Sequence, residues 1–418
     1  MARALRHRDF IIYTTTHTVY GIGFWMQRVA VGWLTWELTH SGLWLGIIAA
    51  TEALPMFLLL PLGGVIADRV DRLSLYRLVQ FLLTVLALIL ALFVLADWIN
   101  IYILTVIMAA HGVANALSMP VRMTVVPGVV PRYDVPPAIA FDSIMFQGSH
   151  FVGPALAGVV ISTLGTGWAI VFNAFSCLIF LVGLLYMRYR YHEHATNPRT
   201  SVISDMRQGL RYLIGHPGLG PMLLLAIAAA TLTRPYIELM PGFADAIFGR
   251  GAEGLSLLVA SIGVGGIIAN IWIALYGRTE GLTGIVTWSI MAASLLLVLF
   301  ASITHFWLAV GIVALISFMA AIGGTGSQIL MQNGVDGAMR GRVMSLYALT
   351  WRGAPALGAF VLGWGSTYLG LQVPVAIAAV LCLLVAAWLY RSRQTIAEGL
   401  EQPPEQTGES AAAPGSAG

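Results

Sequence analysis

The chain has 418 residues, 58% of them hydrophobic and only 10% charged, with a formal net charge of +3 and a pI near 8.9. All 22 fixed cations are arginine, so no G-x-x-x-x-G-K-[ST] phosphate loop exists, and ATP hydrolysis through that motif is excluded. The two cysteines, Cys177 and Cys382, fall in apolar stretches and imply no disulfide framework.

The chain starts basic, with Arg3, Arg6 and Arg8, and enters an apolar run over 10–38. That run is too long for a cleavable signal and lacks a small-residue cleavage site, so it is predicted to insert and stay. Eleven more runs follow, near 42–67, 74–97, 99–126, 138–164, 168–187, 219–248, 254–276, 284–303, 305–333, 343–369 and 372–390. Each is long enough to cross a bilayer as a helix, which takes roughly 20 residues. With the N-terminus placed inside, the inner segments hold eighteen of the 22 arginines, and the outer loops hold only Arg250. Arg28, Arg234 and Arg352 remain within the apolar runs. This asymmetry orients all twelve crossings consistently and puts both chain ends in the cytoplasm. The basic excess then faces anionic lipid, and no nucleic-acid partner is expected.

The two ends of the chain resemble each other. A shift of 205 residues lays Gly148, Gly153, Gly158 and Gly165 on Gly353, Gly358, Gly363 and Gly370, and Cys177 on Cys382. An even number of crossings separates the copies, so they are parallel repeats, with substrate handled between them near mid-membrane. The expected organisation is a six-helix bundle over 1–187, a basic linker over 188–217, a second six-helix bundle over 218–391 and a disordered tail over 392–418. In the linker, Val202, Met206, Leu210, Leu213 and Ile214 form one apolar stripe, which predicts a short amphipathic helix on the inner surface. The tail, rich in Pro, Gly and small polar residues, is expected to stay disordered.

Between the second and third runs the chain reads Gly64-Val65-Ile66-Ala67-Asp68-Arg69-Val70-Asp71-Arg72. Gly64 permits close helix approach, and Asp68 sits where an inner helix N-terminus presents its positive end. This G-x-x-x-D-R-x-x-R pattern resembles the signature of the major facilitator superfamily. The resemblance covers the whole chain and implies an all-α, twelve-helix fold of two pseudo-symmetric halves. It also implies a latch in which Asp68, with Arg69 and Arg72, meets the eleventh helix near Arg340 and Arg342. The matching loop of the second half reads Gly277-Arg278 without an acid, so no second latch is expected. In the fifth run, Gly148, Gly153, Pro154 and Gly158 give a small-residue face with a bend. The segment resembles the antiporter motif of exporting members. The stretches 25–33, 115–122 and 340–345 resemble the twelve-helix branch of enterobactin (siderophore) exporters and macrolide efflux pumps.

Ionisable groups inside the bilayer point to function, because each costs at least ~2.5–3.5 kcal/mol on insertion scales. Arg28, Glu52, Arg234 and Glu238 are the expected proton-coupling set, with Glu52 near mid-membrane and Arg234 and Glu238 one helical turn apart. His150 is expected as a packing histidine bonded to a carbonyl, and Asp142 lies near the inner end of its helix. The resemblance implies that the first, fourth, seventh and tenth helices line a central cavity. It nominates Trp25, Gln27, Trp33, His111, Asn115, Gln328, Gln332 and, on the eleventh helix, Arg352. No cluster of residues suggests an enzyme, a metal site or a cofactor. The expected function is secondary-active export of an amphipathic small molecule from the bacterial cytoplasm, by a monomer using the proton gradient. Import or exchange of a metabolite, or a non-transporting scaffold or sensor, are the alternatives.

Overall fold

A computed structural model describes residues 4–67, 71–187, 202–337 and 339–401, and every regular element among them is helical. The first half comprises α1 (Arg8–Thr39), α2 (Gly42–Ala67), α3 (Arg72–Leu95), α4 (Ile101–Val129), α5 (Val135–Leu164) and α6 (Thr166–Tyr186). A connecting helix, α7 (Val202–Gly215), precedes the second half. There the seventh crossing begins as α8 (Leu219–Ala228) and ends through α9 (Met240–Gly242), with irregular turns around α9. It is followed by α10 (Gly251–Tyr276), α11 (Leu282–Ser302), α12 (Phe306–Asn333), α13 (Arg340–Leu369), α14 (Gln372–Arg391) and α15 (Arg393–Leu400). Local chemistry sets several starts and stops. The side chains of Asp71 and Asn100 accept from Ser74 N and Ile103 N at 2.8 and 2.9 Å, capping α3 and α4. Among the described residues nine spans are long and apolar enough to cross a membrane. With α1, α2 and α13, which run in the same bundle, the chain is a twelve-helix multi-pass membrane protein.

The two halves pack alike. In the first, α1 lies on α5 and α6, α2 on α4, and α3 on α4 and α6. In the second, the seventh crossing lies on α13 and α14, α10 on α12, and α11 on α12 and α14. The repeat read from the sequence is visible in α5 and α13. Each has 30 residues, each contains one internal proline, and each ends at a glycine with positive φ (Gly165 at 94°, Gly370 at 72°).

The glycines of this repeat seal the bundle at the end away from the chain termini. A side chain on Gly158 of α5 would strike Ser256 of α10, and one on Gly363 of α13 would strike the backbone of Gly42 of α2. The two inter-half contacts join equivalent helix pairs, with the glycines 205 residues apart. The partner residues, Ser256 and Gly42, are small, so the helices approach closely and gain dispersion that lipid could not supply. One turn earlier, Gly153 meets Trp25 and Ile22 of α1, while Gly358 meets Thr231 and Pro235 of the seventh crossing. The apolar core follows the same geometry. At the sealed end one cluster draws on both halves, including Trp33, Trp36, Leu45, Tyr236, Leu255 and Leu362. At the end carrying the termini the halves have separate clusters, one around Tyr13, Tyr76 and Phe180 and one around Leu219, Val286 and Leu330. The bundle is closed at one end and divided at the other.

Two connecting segments depart from expectation. Helix α7 forms, but Gly209 lies against Arg342 and Leu346 of α13 and Leu213 is buried, so it docks on the second half. Leu210 and Ile214 stay exposed on it. Residues 393–400, expected as the start of a disordered tail, form α15. Ile396 and Leu400, one turn apart, are buried against the second half, and the Glu401 carboxylate accepts from Gly281 N and Thr283 N at 2.7 and 2.9 Å. A carboxylate on free N–H groups at the start of α11 is a favourable cap.

Replacing Gly158 or Gly363 with Leu should force apart the helices of the sealed end, an overpacking cost of about 1–3 kcal/mol. Each variant should melt several degrees below wild type in detergent. Unchanged melting in both would show that these crossings do not close the bundle.

Candidate functional site

The seventh crossing is where the second half departs from helix, and this break builds the site. After α8 the chain forms a π turn over Ala229–Thr233 and a 3-10 turn over Arg234–Ile237. Pro235 has no N–H to give and Pro241 follows six residues later, so the regular ladder cannot continue. Glu238 N bonds to Pro235 O at 3.0 Å, a three-residue step. At three residues per turn, positions four apart do not share a face. The expected Arg234–Glu238 pair is consequently absent. Glu238 instead turns across the interface and forms an ion pair with Nη2 of Arg28 on α1. Arg234 is exposed, with its guanidinium 5.4 Å from the Trp351 ring centroid, and has no carboxylate partner among the described residues.

Arg28 has a second acid. Its Nη1 lies 3.4 Å from Oε2 of Glu52 on α2. The other oxygen of Glu52, Oε1, lies 3.6 Å from Nδ1 of His111 on α4, and that nitrogen lies 3.1 Å from Nδ2 of Asn115. The approach of α4 to α2 depends on Gly112, where any side chain would collide with the backbone at Glu52. One guanidinium, two carboxylates and an imidazole thus form a continuous group across α1, α2, α4 and the seventh crossing. The acids are accessible, at 20% for Glu52 and 25% for Glu238, while the His111 side chain is 7% exposed.

This group heads a cavity of about 690 Å³ that extends toward the end carrying the termini. Its walls are mixed. Tyr20, Phe24, Tyr76 and Phe146 supply aromatic surface, and Gln80, Asn115, Ser118, Arg122 and Asp142 supply polar and charged groups. On the other side of the group only about 30 Å³ is left, among Gln27, Thr35, Leu45 and Ile48, roughly the room of one water. The charges therefore sit at the stopper between an open vestibule and the sealed end.

Of the residues singled out in the sequence, Arg28, Glu52, Glu238, His111 and Asn115 come together here. Others do not. Gln27 is buried and accepts from Asn173 Nδ2 at 2.5 Å, tying α1 to α6. Trp33 belongs to the core of the sealed end, and Trp25 packs on Gly153 and meets His150 edge-on at 4.0 Å. His150 therefore packs against an indole and bonds to no carbonyl among the described residues. Gln328 and Gln332 are exposed on α12 and do not line the cavity. Asp68 and Arg69 lie outside the described residues, as do the side chains of Arg72 and Arg352. Arg340 and Arg342 open α13.

The lower cavity was not anticipated as a unit. There Asp142 holds the buried His17 ring at 2.9 Å between Nδ1 and Oδ1, and His17 stacks between Tyr13 and Phe146. Arg122 lies 4.1 Å over Phe146. The available signal was a histidine and an aspartate, each in an apolar run, but their partnership crosses 125 residues.

Two packed halves, a charged group between them and a vestibule open at one end define a carrier of the major facilitator type. The chain belongs to the transmembrane secretion effector family of that superfamily, whose model matches residues 3–411. It is 22% identical to the staphyloferrin A transporter of Staphylococcus aureus over 386 residues, 91% of this chain and 95% of that protein. It is 25% identical to the enterobactin exporter EntS of Escherichia coli over 380 residues, 88% of each. Its fold matches the solved structure of a bacterial homologue of the human lysosomal transporter Spinster, in an inward-facing and occupied conformation. The TM-score is 0.72 at 14% identity, covering 94% of this chain and 98% of that one. The chain is a membrane transporter and not an enzyme.

Replacing Arg28 with Met should leave two carboxylates without their cation and cost about 1–3 kcal/mol in this partly accessible site. Adding Glu52→Gln and Glu238→Gln to that variant should restore most of the loss in melting temperature. A triple variant no more stable than Arg28→Met would show that the acids do not depend on Arg28.

Proposed function

We propose that this protein exports an amphipathic, siderophore-like small molecule across a bacterial cytoplasmic membrane, in exchange for protons. The observation that carries the reading is the shared guanidinium: Arg28 touches an acid of each half at the head of the vestibule. Such a group can couple the position of the halves to the charge between them. When the halves rock, Arg28 cannot keep both partners in the same geometry, and an acid that loses its cation gains affinity for a proton. Alternating access about a fixed central site supplies the movement.

The cargo class is supported by the walls. Aromatic faces suit rings or acyl surface, and Arg122, Asp142, Gln80 and Ser118 offer polar groups at the same height. The volume of about 690 Å³ lies in the range of small-molecule sites. The relatives described as a staphyloferrin A transporter and an enterobactin exporter support a siderophore, and the family description as secretion effectors supports outward movement. In this reading the vestibule faces the cytoplasm and both termini lie there, as the arginine distribution indicates.

The test uses proteoliposomes with a pH-sensitive dye inside and metal-free enterobactin or staphyloferrin A as the probe. Cargo addition to wild type should move protons, and Glu52→Gln/Glu238→Gln should reduce that flux about tenfold or more. Undiminished flux in the double variant would refute coupling through these acids. Absence of proton movement with transport intact would refute antiport.

A further inference from the structure

We infer that the exchanged proton is held by the His111–Glu52 pair, and that Arg28 and Arg234 together displace it; this rests on the antiport reading above. The first argument is a charge count. Arg28 is in contact with Glu52 and Glu238, so these three carry one net negative charge within the membrane span. His111 is the remaining titratable group in contact with them. One proton on it brings the group to neutrality.

Geometry says where that proton sits. Arg28 is not shared evenly: Nη2 is in direct contact with Glu238, while Nη1 is 3.4 Å from Glu52, beyond a good N–H···O distance. Glu52 is thus underserved by arginine and turns Oε1 to His111. The ring nitrogen it meets, Nδ1, has two neighbours and one bonding capacity. Bare, Nδ1 accepts from the Asn115 amide at 3.1 Å; protonated, it faces Glu52 Oε1 at 3.6 Å as an ion pair. Two bonding states are built into one atom. The ring is shielded, packing 6.4 Å from Phe24, while Glu52 opens on the vestibule, so Glu52 is the proton's way out.

The second state needs a cation for Glu238, and one stands ready. Arg234 is on the same crossing, four residues before Glu238, and rests on Trp351 without a carboxylate of its own among the described residues. When Arg234 takes Glu238, Arg28 moves wholly to Glu52. Two arginines then balance two carboxylates and the proton is surplus. The N–H bond at Nδ1 breaks, the proton passes to Oε1 of Glu52 and on to vestibule water, and His111 returns neutral to Asn115. Of the other charged or titratable groups on the helices around α4, Tyr20 on α1, Tyr76 on α3, Arg122 on α4 and Asp142 on α5 line the vestibule. His17 holds Asp142, and His150 packs on Trp25.

The test compares pH-driven transport with gradient-free exchange of the same siderophore probe, in proteoliposomes holding wild type, His111→Gln, Glu52→Gln or Arg234→Gln. His111→Gln should lose pH-driven accumulation about tenfold or more, and lose it further than it loses gradient-free exchange. Arg234→Gln should lose driven transport in the same way. If His111→Gln drives transport like wild type while Glu52→Gln does not, the proton rides on carboxylate alone and the inference is overturned, with antiport intact. If wild type itself moves no proton with cargo, antiport falls first. Should His111→Gln fail to insert, His111→Asn replaces it. A second readout is then proton release on cargo binding in weakly buffered detergent: about one proton per wild-type molecule and none from the variant. Release from the variant equal to wild type would also overturn the inference.

Discussion

A single guanidinium shared between two halves organises this molecule. Arg28 is the point where the first half meets an acid of the second, and both acids need it, because an unpaired carboxylate at this depth is costly. That dependence explains why the seventh crossing is broken. A regular helix would have given Glu238 to Arg234 on its own face. The π and 3-10 turns around Pro235 rotate it toward α1 instead. The irregular backbone is tolerated at membrane depth because it is enclosed by α1, α13 and α14.

The rest of the bundle sets the conditions in which that sharing has consequences. Glycines of α5 and α13, in register across the repeat, let the halves approach closely at one end, where a common apolar cluster forms. At the other end each half has its own cluster, and the vestibule lies between them. The halves meet along two helix pairs related by the repeat, α2 with α13 and α5 with α10, while the other helices pack chiefly within their own half. Such an arrangement favours rigid-body movement of whole halves over deformation of either one. The docked α7 and α15 add to the cohesion of the second half, the latter through its Glu401 cap on α11.

Much of this was legible from local pattern. Twelve apolar runs and the 205-residue register are properties of neighbouring residues and of spacing, and α5 and α13 reproduce that register at both ends. Arg28, Glu52, Glu238 and His111 stood out because charge in an apolar run is rare. What local pattern could not supply was partnership. Gln27 reads as a cavity residue until Asn173, 146 residues away, is seen to hold it. The Arg234–Glu238 spacing reads as a pair only on a regular helix, and Pro235 and Pro241 were the signal against one. In the tail, Ile396 and Leu400 at helical spacing were outweighed by the polar, Pro- and Gly-rich composition that follows them.

The Arg28–Glu238 bridge joins the two halves, so its loss should release the sealed end and let the vestibule close. Distances between spin labels test it most directly, in protein whose Cys177 and Cys382 have been replaced by Ser. One pair, on exposed Tyr133 and Glu398, reports the end carrying the termini, and another, on exposed Trp98 and Thr304, reports the opposite end. Relative to the parent protein, Glu238→Gln and Arg28→Gln should each shorten the first distance and lengthen the second in a substantial fraction of molecules. Distributions identical to the parent at both ends, in both variants, would contradict it.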